Sequence, residues 1–242
     1  MKPGRFLTAE WRYLAMINYE ITPDILMPYV PNKTELDTWN GKTYVSLVGF
    51  LFLHTKIIGL PIPFHRNFED VNLRFYVRRK REEGWRRGVV FVKEIVPKIV
   101  IATVARLVYN ENYISMPMRH RIELESGSLK KNGSVEYAWQ YKGRWNNLRV
   151  KTTGDPLSTA LGSEEEFITE HYWGYVLQPD GRCTEYQVEH PRWLVWQVSE
   201  SFVDCNIEEL YGKEFVAFLS PKPSSAFLAS GSPIIVNKRA KI

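Results

Sequence analysis

Two cysteines in 242 residues, Cys183 and Cys205, cannot staple a chain of this size, and they lack the Cys-x-x-Cys spacing of a redox or zinc motif. Free thiols in a reducing compartment follow. The longest apolar run, Val45 to Leu53, is broken by Ser46 and Gly49 and falls far short of the roughly 20 residues that span a bilayer. No signal-peptide pattern is visible in the opening MKPGRFLTAEWRYL, so a soluble, cytoplasmic protein without a membrane partner is the expectation. Positive charge is present without being concentrated: 32 Lys and Arg stand against 27 Asp and Glu, for a net +5 spread along the chain. That balance argues against nucleic acid. His54, His65, His120, His171 and His190 show no His-x-x-x-His spacing, which gives no metal site. Neither a glycine-rich phosphate loop nor a Gly-x-Ser-x-Gly elbow occurs, and no cofactor is implied.

What the chain does have is apolar residues, 44%, and aromatics, 14%, falling in alternating runs with Val, Ile and Leu. Such runs suit pleated, half-buried surfaces. The reading is α+β, mostly β: an extended antiparallel sheet with a few short helices, in one domain over 1–242 with a C-terminal tail over 221–242 that is irregular apart from Pro233 to Val236. Strands are expected at Trp11 to Ile21, at Tyr44 to Ile58 with a bend at Gly49, and in a hairpin of Phe68 to Arg79 with Arg87 to Val96. Pro97 opens the one long helix, to about Tyr109, with Val100, Val104, Leu107 and Val108 as its apolar stripe. Ser163 with Glu166 reads as a capping box. The basic run Arg78 to Arg81 with Arg86 and Arg87, interleaved with Glu82 and Glu83, reads as a solvated loop rather than a phosphate patch.

The strand FEDVNLRFYVR separates by its period of two into unlike faces. Glu69, Val71, Leu73, Phe75 and Val77 share an apolar face; Phe68, Asp70, Asn72, Arg74, Tyr76 and Arg78 share a polar one. A sheet with one face in water needs no function for that row. A sheet closed around a cavity turns Asn72, Arg74 and Tyr76 into donors for a small anion, with Arg74 able to hold a carboxylate bidentately.

The segments FEDVNLRFYV, RRGVVFVKEIVPK, ATVARLVYNENYISMPM, EFITEHYWGYV and VEHPRWLVWQV, in that order, resemble the YqjF-like family, a domain of unknown function numbered 2071. That family is distantly similar to acetoacetate decarboxylase, and the opening FLTAEWRYLAMINYEITPDILMPYVP is similar to the decarboxylase start. The resemblance implies a curved, funnel-like antiparallel sheet or barrel around a small-molecule cavity. Decarboxylase chemistry needs a lysine of depressed pKa to form an imine. Aligning Ala105-Arg106 with the family's Gly-Arg places Tyr113 and Ile114 where its lysines belong, and Glu20 stands where it has an arginine. The resemblance also makes Glu69 a candidate site carboxylate, although strict alternation sets Glu69 opposite Arg74 unless a bulge intervenes.

Three functions are compatible with these residues. The first is a protein that binds a small anionic or carbonyl ligand through Asn72, Arg74, Tyr76 and Arg106 without imine chemistry. A second is an enzyme of lyase or isomerase type, with Glu69 and Tyr113 carrying protons and Arg74 or Arg106 polarising an oxyanion. A structural or protein-interaction module, its cavity filled by side chains, is the third. A homo-oligomer is compatible with all three.

Overall fold

The computed structural model describes residues 4–242, apart from the side chains of Val104, Ala105, Leu107 and Tyr109. Twelve principal strands carry the fold: β1 (Arg5–Ile21), β2 (Thr43–Ile57), β3 (Phe68–Arg81), β4 (Gly84–Val96), β5 (Tyr113–Ser115), β6 (Met118–Ile122), β7 (Ser134–Tyr141), β8 (Arg144–Ser158), β9 (Trp173–Leu177), β10 (Cys183–Glu189), β11 (Leu194–Asp204) and β12 (Ser225–Asn237). Between them lie α1 (Pro23–Leu26), α2 (Ile99–Tyr109), α3 (Glu164–Thr169), α4 (Ile207–Tyr211) and α5 (Val216–Leu219). No helix among the described residues is long and apolar enough to cross a membrane.

The order β10-β9-β4-β3-β2-β1-β12 closes on itself, because Val188 and Glu189 of β10 pair with Val236 and Ile235 of β12. Pairing is antiparallel except where β4 runs parallel to β9 and to β5. From β12 the sheet continues through β11, β8, β7 and β6, and this second half covers the outside of the ring. The Tyr137 hydroxyl of β7 donates to the Tyr13 carbonyl at 2.8 Å. Between the two halves Val71, Leu73, Phe75, Trp139, Leu148 and Val150 are fully buried. The apolar face read from β3 is therefore the main core, and its other face looks into the ring.

Gly49 does not break β2. A Cβ there would lie 2.6 Å from the Tyr137 ring, so the missing side chain makes room for the covering layer. The C-terminal segment is a correction to the sequence reading: 221–242 is not an irregular tail, because thirteen of its residues form β12. One edge of β12 pairs with β1, and the other is shared between β11 near Phe227 to Ala229 and β10 near Ile235. The breakers in SSAFLASGSP mark that changeover. Gly231 takes φ +73°, and a Cβ there would strike the Trp11 carbonyl oxygen.

Helix α2 starts two residues later than expected, and Val100 is exposed, whereas Ala102 is buried and Val108 packs against the ring interior. The side chains of Val104 and Leu107 lie outside the described residues. Ser163 caps α3 by accepting from the Glu166 amide at 3.2 Å. The basic hairpin tip, Lys80 to Trp85, is exposed as a solvated loop should be, but the arginines at its base are held in ion pairs. Arg79 and Arg86 hold the buried Glu185 carboxylate at 2.7 and 3.1 Å, and Arg87 reaches Asp37 at 2.6 Å. Cys183 and Cys205 are free thiols.

Candidate functional site

The ring encloses a cavity of about 120 Å³. Its walls are largely aromatic, with Trp11, Phe50, Phe52, Phe68, Phe91 and Trp193 facing inward. Alternation on β3 brings Asp70, Asn72 and Arg74 to the same interior, and β4 adds Glu94, the residue opposite Asn72. The next wall residues come from the end of α2. Asn110 takes a left-handed conformation, φ 61°, that stops the helix and turns the chain back along β4. Glu111 and Tyr113 then face the cavity, with Tyr113 beside Glu94 in the parallel β4–β5 register.

Asp70, Glu94, Glu111, Tyr113 and Tyr186 make an acidic end. Asn72 Nδ2 donates to Asp70 Oδ1 at 2.9 Å, which leaves Asp70 Oδ2 buried without a partner, and Glu94 Oε2 is in the same condition. Tyr186 donates to Glu111 Oε1. Gly174 makes that bond possible, since a Cβ on it would lie 2.1 Å from the Tyr186 ring. Burial pushes the Asp70 carboxyl up to about 7, against the pull of the Asn72 hydrogen bond. Burial likewise takes Glu111 to about 7, and it drives Glu94 well above the carboxylate range, helped by the charges of Glu111 and Asp70. Carboxyls in this condition hold or exchange protons near neutral pH.

Arg74 makes the opposite end. It is 8% exposed, its Nε has no partner, and among the described residues no carboxylate lies within ion-pair distance of it. Two imidazoles lie on the cavity wall in reach of its charge. Burial, with a contribution from Arg74, depresses His171 and His190 to about 4, so both are neutral. His171 Nε2 sits 3.2 Å from Asp37, and its Nδ1 is buried without a partner. His190 stacks on Trp193 with ring centroids 4.1 Å apart.

Of the residues singled out in the sequence, Asn72, Arg74 and Tyr113 share the cavity; the other three do not. Glu69 lies on the opposite face of β3, where its carboxylate meets His120 Nδ1 at 2.7 Å. The required bulge exists but falls on β4: Leu73 pairs with Lys93 and Arg74 with Phe91, so Val92 is the extra residue and alternation on β3 is unbroken. Tyr76 is packed behind the wall, 2.6 Å from Ser46 Oγ and against the His171 ring. Arg106 is exposed on α2, and its Nε donates to the Tyr113 main-chain carbonyl at 2.5 Å, which anchors Tyr113 without entering the cavity. No lysine among the described residues lines the cavity; Lys93 donates to the Leu210 carbonyl on the far side of β4. Ile114 packs into the outer core. Among the described residues no group of three His, Cys, Asp or Glu is placed to hold a metal ion.

Sequence reasoning missed Glu94, Glu111 and the two histidines as site residues. Asp70 was visible on the polar face and was not singled out. Glu94 sits in an apolar strand, VVFVKEIV, where alternation turns Lys93 to the other face, so an acid without a base on its own face is the signal that was available.

The fold has solved counterparts. The enduracididine biosynthesis enzyme MppR, in a structure complexed with pyruvate, superposes with a TM-score of 0.70 at 12% identity, over 100% of this chain and 91% of that one. Acetoacetate decarboxylase from Legionella pneumophila gives 0.68 at 13% identity, over 100% and 88%. At these identities the likeness is one of fold. In sequence, the uncharacterized protein YqjF of Bacillus subtilis is 24% identical over 200 residues, 81% of this chain and 77% of that protein. The profile of the uncharacterized conserved proteins called DUF2071 matches residues 8–233, and the chain belongs to that family.

Proposed function

We propose that the ring cavity binds a small organic carboxylate or carbonyl compound, with Arg74 holding its anionic group. The observation that carries this reading is the buried Arg74 guanidinium, which has no carboxylate partner among the described residues although it faces the cavity. A buried charge is costly unless it is paired, and an incoming anion supplies the pair. The likeness of fold to a protein solved with pyruvate supports the same class of ligand. Titration calorimetry with short carboxylates and 2-oxo acids, pyruvate and pentanoate among them, tests it. Arg74→Met is expected to weaken binding by roughly 10- to 100-fold, the value of a charge-assisted hydrogen bond. Unchanged affinity in that variant refutes the proposal.

A second reading, an acid/base enzyme acting on a carbonyl substrate, is favoured by the placement of Glu94 and Tyr113 side by side in the same cavity, with Glu94 holding its proton at neutral pH. Asp70 or Glu111, partly ionised near pH 7, takes a proton from the carbon next to a carbonyl, and the neutral Glu94 carboxyl donates its own to the enolate oxygen while Arg74 stabilises the negative charge. Imine chemistry is no part of either reading. Exchange of the methyl protons of pyruvate in heavy water, followed by NMR, separates binding from turnover. Protein-dependent exchange that is lost in Glu94→Gln supports the enzyme; no exchange above the buffer rate leaves a binding protein.

A further inference from the structure

The cavity is electrically two-ended. Asp70 and Arg74 are four residues apart on β3, so their Cα atoms are separated by about 13 Å along the strand. Across the sheet Asn72 faces Glu94, which in turn faces Tyr113, while Arg74 faces Phe91. The carboxyls thus gather toward one end with two phenols, and the guanidinium stands toward the other with two neutral imidazoles. Arg74 is close enough to pull down the pKa of Asp70 and Glu94, yet it forms an ion pair with neither. Aromatic rings line the space between.

A carboxylate or keto acid satisfies the Arg74 end and leaves the other end in surplus. A carbonyl oxygen accepts at most two hydrogen bonds, whereas three carboxyls and two phenols converge on it. Asp70 Oδ2 and Glu94 Oε2 have no partner, on residues 0% and 2% exposed, and no cation among the described residues pairs with Asp70, Glu94 or Glu111. Once ionised, such buried oxygens are acceptors that call for donors. A protonated nitrogen supplies several donors and a compensating charge at once, and aromatic walls favour it further through their ring faces.

We infer that the ligand is dipolar: its carboxylate lies at Arg74, and a protonated nitrogen of amine or amidine type lies at Asp70, Glu94 and Glu111. This rests on the carboxylate reading above and names the rest of the molecule. Binding such a group ionises carboxyls that hold protons in the empty cavity, so protons are released and affinity rises with pH.

The test uses the full chain and ω-amino acids from 3-aminopropanoate to 6-aminohexanoate, against the matching unsubstituted carboxylates and alkylamines. At least one ω-amino acid is expected to bind about tenfold or more tighter than both of its one-ended counterparts. Calorimetry in two buffers of different ionisation enthalpy is expected to show proton release, and Asp70→Asn or Glu94→Gln, checked for folding by thermal melts, to bring the preference close to unity. Plain carboxylates that bind as tightly as every ω-amino acid, and that still depend on Arg74, overturn the dipolar ligand and leave the carboxylate reading standing. Binding of neither series, or binding indifferent to Arg74→Met, sinks both.

Discussion

His171 Nε2 lies 3.2 Å from Asp37 Oδ2, and the same oxygen accepts from Arg87 Nε at 2.6 Å. Burial works to raise the Asp37 carboxyl, but the hydrogen bonds from His171 and Arg87 outweigh it and keep it ionised below its ordinary value. An ionised Asp37 requires the proton of the neutral imidazole on Nε2, which leaves Nδ1 as an acceptor for whatever enters the cavity. Asp37→Asn removes the charge that selects this tautomer and strips Arg87 of its partner. A loss of about 1 to 3 kcal/mol is expected from chemical denaturation. Nitrogen-15 NMR of His171 is expected to show the proton on Nε2 in the parent and a changed tautomer ratio in the variant; an unchanged ratio removes Asp37 as the orienting group.

Stability is expected to respond to pH through two opposed sets of groups. His171 and His190 have folded values near 4, below the unfolded value of about 6.5, so the stability they allow is present above that unfolded value and lost as pH falls toward 4. Asp70 and Glu111 have folded values raised to about 7, so their contribution is fully present below the unfolded values near 4 and is lost as pH rises toward 7. Glu111→Gln removes one member of the second set while keeping an acceptor for Tyr186. It is expected to stabilise the protein near pH 8 by at most ~3 kcal/mol, with the gain fading toward pH 5. Thermal melts across that range measure it, and a gain that grows on acidification contradicts the assignment.

Much of this was legible along β3. The unlike faces of FEDVNLRFYVR put Val71, Leu73 and Phe75 in the core and Asp70, Asn72 and Arg74 in a cavity, because a period of two holds wherever the strand itself is unbulged. The position of Glu69 was legible from the same alternation, and the family resemblance pointed the wrong way. The closure of the ring was not legible, since it depends on two residue pairs between β10 and β12, Val188 with Val236 and Glu189 with Ile235, that are far apart in sequence and sit beside a Ser-Gly-Ser-Pro breaker. Nor was the acid cluster: Glu94 and Glu111 are on different elements, and only the left-handed turn at Asn110 brings them together.

That convergence depends on close backbone packing at Gly174. A methyl group there collides with the Tyr186 ring at its Cζ, and β9 is held on both sides, by β4 and by β10. The ring must therefore swing away from Glu111, or the strand must move. Gly174→Ala is expected to cost about 1 to 3 kcal/mol as overpacking and to abolish ligand binding with it. Tyr186→Phe is the control that removes the hydrogen bond without the collision. A melting temperature in Gly174→Ala equal to that of the parent contradicts the packing described.

The last prediction concerns the cost of keeping Arg74 where it is. In the empty protein this guanidinium is buried, its Nε is unsatisfied, and its side-chain neighbours are the Met16 sulfur at 4.0 Å and the Tyr76 ring, 5.8 Å away at its centroid, neither of which carries a negative charge. Replacement by Met keeps most of the apolar stem and discards the stranded charge, so Arg74→Met is expected to stabilise the empty protein by on the order of 1 to 2 kcal/mol, even as it loses the ligand. The gain has a pH signature. Arg74 holds down the values of His171 and His190, so without it these residues resist protonation less strongly against the fold at low pH. It also helps Asp70 and Glu94 to ionise, so without it their ionisation above pH 7 becomes costlier. Both effects make the gain largest at mildly acidic pH and smallest above about pH 8. Denaturant titrations of parent and variant near pH 6 and pH 8 measure the difference, and a variant less stable than the parent at both values would show that Arg74 is a structural residue rather than a binding one.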